Sequence, residues 1–221
     1  MKQQLTSLAT ILLLGSLLPA ESMSAPTARS EQWEISLVPT YTNSKTLQGG
    51  GGSFADLSAH SGLGIGIGYN FNDYLGMDLV IGSANGNYEG TAIDETNTPQ
   101  PYGGSYYTSY IDLGLTYYLM PSSLTPFVKA NLGYSYVDSG IPTGNTGNTC
   151  WWDPWYGYVC GTYSQTYTSS EYNYGADLGL RYEFNDSVFV KGSIGATYVD
   201  FQNLSYNYFT IYKLTIGFSF K

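Results

Sequence analysis

Charge is scarce in this chain. Asp, Glu, Lys and Arg make up 11% of its 221 residues, with 8 Lys and Arg, 17 Asp and Glu, and one His. A soluble sheet protein needs charged side chains over its outer face, and too few are present to cover one. The formal charge of −9 argues against nucleic acid as a partner, because phosphate neutralisation needs Lys and Arg. Long apolar runs are missing as well: beyond the N-terminus none approaches the roughly 20 residues of a transmembrane helix. With two Cys and one His, a metal centre built on those ligands is short of donors. No cofactor motif is visible either. Gly49-Gly50-Gly51-Gly52 has no following helix or Lys and reads as flexible punctuation, not a phosphate loop.

The N-terminus has a separate role. Lys2 begins a weak positive region, Leu5 to Leu18 form an apolar stretch, and small residues follow from Ala20 to Ala25. This pattern predicts an export signal over residues 1–24, cleaved between about 20 and 25. The alternative, a membrane anchor, needs about 18 apolar residues. A barrel domain is expected over 31–221.

What the chain does have is period-two alternation. At its end Tyr212, Leu214, Ile216, Phe218 and Phe220 share one face, and Lys213, Thr215, Gly217 and Ser219 the other. The same division recurs in segments near 33–41, 62–71, 75–83, 107–119, 125–137, 172–184 and 188–198. Each is long enough to cross a bilayer as a tilted strand of roughly 9–11 residues. Short turns at Asn72-Asp73, Met120 to Ser123 and Asn185 to Ser187 alternate with long connections near 42–61, 84–106 and 138–171 and a shorter one near 199–207. The expected fold is all-β, an eight-stranded antiparallel up-and-down transmembrane β-barrel with both ends on its short-turn side. Alternation alone also fits a soluble lipocalin-like barrel with its apolar face inward. Low charge, glycines on the polar face and aromatics at strand ends favour the membrane form.

Two stretches, Tyr212 to Phe220 and Gly68-Tyr69-Asn70-Phe71-Asn72-Asp73-Tyr74-Leu75-Gly76, resemble the small Gram-negative outer-membrane β-barrel family, which includes the OmpA-type transmembrane domain and OmpX and Ail type barrels. The resemblance covers residues 31–221, with one departure: Lys221 follows the terminal aromatic Phe220. It implies location in the cell outer membrane, contact with outer-membrane lipid, and handling by the barrel-assembly machinery during biogenesis.

Three groups of residues are candidates for a role. Glu34, Asp78, Asp112, Lys129, Asp177, Arg181, Glu183, Lys191 and Lys213 fall on the polar, lumen-facing positions. Unpaired charge in a narrow lumen is costly, so a salt-bridge network is expected in preference to an ion pathway or a catalytic carboxylate pair. Cys150 and Cys160 are expected to form a disulfide in the longest connection. They enclose Trp151, Trp152, Trp155, Tyr156 and Tyr158, a candidate contact element for an external protein or surface ligand or, alternatively, part of the interfacial girdle. His60-Ser61 invites comparison with barrel lipid deacylases, but no oxyanion donor accompanies it, and no enzyme is expected. The expected function is structural or adhesin-like, through external loops. A narrow, porin-like conduit for small or hydrophobic solutes is the alternative, and a lipid-modifying enzyme the least favoured reading.

Overall fold

The computed structural model describes residues 29–48, 52–93, 98–153, 157–199 and 208–221. The export signal expected over 1–24 lies outside them. Ten strands are present: β1 (Gln32–Thr42), β2 (Lys45–Gln48), β3 (Phe54–Leu57), β4 (His60–Asn70), β5 (Leu75–Ile93), β6 (Pro99–Tyr118), β7 (Leu124–Asp153), β8 (Gly157–Glu183), β9 (Val188–Val199) and β10 (Tyr208–Phe220). Eight of them close a ring in the order β1-β4-β5-β6-β7-β8-β9-β10, with β10 returning to β1, and all pairs are antiparallel. The remaining hairpin, β2–β3, attaches to the upper end of β5.

Exposure decides between the membrane and lipocalin forms. Ile65, Leu132, Leu178 and Phe218 are 60–65% exposed, whereas Asp177 and Arg181 are 1% exposed. Apolar side chains face out and ions face in, which no soluble barrel can tolerate. Aromatics gather at both ends of the apolar belt, with Trp33 on Tyr69 below and Tyr174, Tyr198 and Tyr208 in a row above, at the levels where amphipathic rings meet a bilayer interface.

Two of the three short turns share one chemistry. Asn72 Oδ1 accepts the amides of Tyr74 and Leu75, and Asn185 Oδ1 accepts those of Ser187 and Val188. Both occur in a Phe-Asn-Asp sequence in which the Asn side chain closes the turn. At the other end, residues expected in long connections are strand. β5 and β6 stay paired as far as Ile93 and Pro99, and β7 and β8 as far as Asp153 and Gly157. The composition of 139–149, rich in Gly, Pro, Thr and Asn, reads as turn, but cross-strand pairing overrides that local preference.

Lumen packing follows a pairing rule. Five inward aromatics lie directly opposite glycines, Tyr110 across from Gly82, Tyr106 from Gly86, Tyr102 from Gly90, Phe127 from Gly179 and Phe189 from Gly217, while Tyr118 lies opposite Phe127. A Cβ on Gly86 would lie 2.5–2.6 Å from the Tyr106 ring. Gly86→Ala is therefore expected to destabilise the barrel by about 1–3 kcal/mol through overpacking. Adding Tyr106→Leu should restore part of the loss, a non-additivity measurable by urea unfolding in lipid vesicles.

Candidate functional site

Inward positions near the short-turn end build an ionic floor. Arg181 Nη1 donates to Glu34 Oε1 at 2.5 Å, and its Nε to Glu183 Oε1 at 2.8 Å. Glu34 also accepts from Lys191 Nζ at 3.0 Å and Asn70 Nδ2 at 2.6 Å. The guanidinium of Arg181 lies 4.0 Å above the Phe189 ring and donates to Tyr118 Oη at 3.1 Å. Rings and cations thus share the volume, each cation meeting a π-face as well as a carboxylate.

Arg29, which sequence reasoning missed, completes this layer. The chain turns at Glu31, whose φ is +59°, and the Glu31 amide donates to the Asn70 carbonyl. That brings Arg29 beneath the barrel with its side chain fully buried. Its guanidinium donates to Glu183 Oε1 (2.8 Å), the Asp73 carbonyl (2.9 Å) and the Ser122 carbonyl (3.2 Å), and it stacks 4.1 Å from the Tyr118 ring. One residue thereby ties together the three short-turn regions. Because it precedes the first alternating segment, periodicity gives no indication of it.

A second layer lies above. Lys129 Nζ bonds Asp78 at 2.5 Å and Lys213 Nζ bonds Asp177 at 2.8 and 3.2 Å. Asp112 faces the same level, opposite Gly133. All nine sequence-picked ions are therefore inward. Eight of them pair directly, and Asp112 does not share in those ion pairs. Higher still the lumen is not filled, in contrast to the expectation for eight strands. A cavity of about 380 Å³ rises from these ions to the external mouth, and its apolar lining includes Val38, Val80, Val137, Val199, Phe209 and Ile211. Sequence reading missed them because they lie where strands were expected to have ended, or as single apolar residues within the polar face.

At the mouth, Tyr106 Oη lies 2.9 Å from His60 Nδ1, and Tyr88 Oη donates to the Ser139 carbonyl at 3.0 Å. Burial raises the Tyr106 hydroxyl to about 12, so it is protonated at neutral pH. His60 lines the cavity, but Ser61 is exposed on the other strand face. Period-two geometry separates the pair, and they do not form a dyad.

Cys150 and Cys160 are directly opposed, bonded, with Cα atoms 4.0 Å apart. Trp151 pairs with Val159 and Trp152 with Tyr158 in the strand register, and Tyr158 is 74% exposed. Trp155 and Tyr156 lie outside the described residues. The base of this arm bends at two register shifts, between Asp138 and Pro142 and between Pro142 and Thr146, next to Gly140 at φ +65°. Hydrogen bonds from the Thr166 side chain and the Gly140 amide hold the Asp138 carboxyl below its usual range.

Residues 10–220 match the family model described as an outer membrane protein beta-barrel domain. No curated protein matches the chain. Among solved structures it resembles the outer membrane protein OprG of Pseudomonas aeruginosa, at 15% identity and TM-score 0.54, covering 88% of this chain and 98% of that one. It also resembles Ail, the attachment invasion locus protein of Yersinia pestis, solved with the heparin analogue sucrose octasulfate. That match has 11% identity and TM-score 0.50, covering 86% of this chain and 99% of the other.

Two outcomes follow from the floor. Arg181→Met removes the buried cation shared by Glu34 and Glu183, leaving Glu34 with Lys191 and Asn70 and Glu183 with Arg29, and should cost about 3 kcal/mol, read from urea midpoints in vesicles. With the lumen closed at its short-turn end, planar-bilayer recording of the wild-type protein should give no steady conductance.

Proposed function

The chain belongs to the outer membrane β-barrel family, and from that premise we propose that it is a surface-interaction protein whose working element is the β7–β8 arm. It resides in the cell outer membrane with its apolar belt against lipid. The observation that carries this reading is the continuation of β7 and β8 as a paired hairpin from Asp138 to Asp153, closed near its tip by Cys150–Cys160. Fifteen residues of strand correspond to roughly 50 Å, enough to carry the tip beyond the other strands of the ring. The disulfide restricts the tip and lowers the ordering cost of binding.

The chemistry of the arm narrows the partner. Between Ser139 and Ser170 there is no Lys or Arg. A polyanion such as the sucrose octasulfate bound by Ail finds no cation there, so the arm suits an uncharged surface that Trp151, Trp152, Trp155, Tyr156 and Tyr158 contact through rings and hydroxyls. A through-conduit would have to open the Arg181–Glu34–Glu183 floor, and a lipid-modifying enzyme would need His60 and Ser61 on one face.

Deleting Trp151 to Val159 should reduce binding of protein-bearing vesicles to immobilised mucin and matrix proteins at least tenfold, with barrel melting unchanged. Equal binding by the deletion variant, or wild-type binding no greater than that of protein-free vesicles, overturns the assignment.

A further inference from the structure

We propose that the upper lumen is a dead-end binding cup for a small primary ammonium compound with a compact apolar tail. This site is independent of the β7–β8 arm. It rests on buried polar atoms that no protein group satisfies. Among the described residues, Asn131 Oδ1, Asn173 Oδ1 and Asp112 Oδ1 are buried without a hydrogen-bond partner. Asn131 is 7% exposed and Asn173 is 2% exposed. All three side chains line the same cavity.

Register explains their convergence. Asp112 on β6 is opposite Gly133 on β7, which is opposite Asn173 on β8. One step down, Gly114, Asn131 and Gly175 form the complementary row. Each polar side chain therefore leans across a neighbouring glycine, and a Cβ on Gly133 would meet Asn173 Oδ1 at 2.9 Å. The result is a cluster of acceptor oxygens on the β6–β8 wall that the nearby donors, the Asn173 amide bonded to Ser135 and the buried Tyr110 hydroxyl, leave incompletely satisfied. Leaving such acceptors unsatisfied costs about 1–3 kcal/mol each, so the site calls for a group rich in N–H or O–H donors.

Charge favours an ammonium. The layer holds three carboxylates, Asp78, Asp112 and Asp177, against two ammonium groups, Lys129 and Lys213, and those two are committed to Asp78 and Asp177. Taken by itself this layer is one cation short, the balancing charge lying in the floor below. Beneath it the floor sets Arg29, Arg181 and Lys191 against Glu34 and Glu183, and this excess positive charge keeps a bound cation from going deeper. No three His, Cys, Asp or Glu among the described residues converge to hold a metal ion, which favours an organic cation. Beside the acceptors, Val80 opposite Asp112 and Val199 opposite Asn173, together with Val137, Phe209 and Ile211, line the same cavity as an apolar sleeve. A ligand entering from outside arrives head first, its ammonium against Asp112, Asn131 and Asn173 and its tail within the sleeve.

The test uses the full chain in lipid nanodiscs with n-hexylammonium, n-hexanol and n-hexanoate as probes, read by NMR at the Asn131 and Asn173 side-chain amides. Saturable shifts are expected with n-hexylammonium at concentrations at least tenfold below those needed for n-hexanol, and none with n-hexanoate. Asp112→Asn should weaken n-hexylammonium at least tenfold and leave n-hexanol unchanged. The site is refuted by absent or non-saturable shifts, by equal response to amine and alcohol, by binding of the carboxylate, or by a folded Asp112→Asn protein that binds the amine as wild type does. Should that variant not fold, the wild-type probe series decides alone.

Discussion

The structure depends on the pairing of Arg181 with Glu34 and Glu183. In a sheet facing lipid, charged side chains have only the lumen to occupy. There they are out of water, and each must find partners within the barrel. Arg181 is held at 1% exposure by carboxylates from β1 and from its own strand, while Lys191 shares Glu34 from β9. The contacts to Glu34 reach from β8 and β9 past β10 to β1, so they tie strands that are not neighbours in the sheet.

Glycine makes the arrangement possible. An eight-stranded lumen is narrow, and five inward rings sit opposite a glycine, whereas Tyr118 with Phe127 and Arg181 with Lys191 pair large side chains directly. The five run from Phe189 and Gly217 at the floor to Tyr102 and Gly90 at the rim. The same device on β6 to β8 sets Asp112 and Asn173 beside Gly133. Glycines on the polar face are thus spacers whose positions determine where rings, ions and open space fall.

Strand positions, the short turns and the nine lumen ions were legible in the sequence because period two shows directly which side chains share a face. Arg29 was not, since it acts from a turn ahead of β1 and has no periodic neighbours to mark it. The apolar sleeve was not, because Val137, Val199 and Phe209 lie at strand ends, where apolar residues occupy both faces and the alternation loses contrast. The stretch 139–149 carries turn-like composition and is strand through its pairing with β8, whereas the Tyr/Ser/Thr-rich run from Tyr163 reads as an extension of strand. What failed to show was everything that depends on register between distant strands.

Seen along its axis, the lumen passes from closed to open. The floor satisfies its charges within the protein and packs them against Tyr118 and Phe189. One layer up, Lys129 and Lys213 neutralise two carboxylates, while Asp112, Asn131 and Asn173 keep acceptor atoms free. Part of the wall beside them is apolar, and the mouth is framed by Tyr88, Tyr106 and His60. A barrel built only to span the membrane would gain stability by filling this volume with side chains, as it does at the floor. Leaving it open while leaving buried acceptors unsatisfied costs stability, and a cost of that kind is expected where a fold reserves space for a ligand. The arm and the cup then occupy the same external side of one barrel.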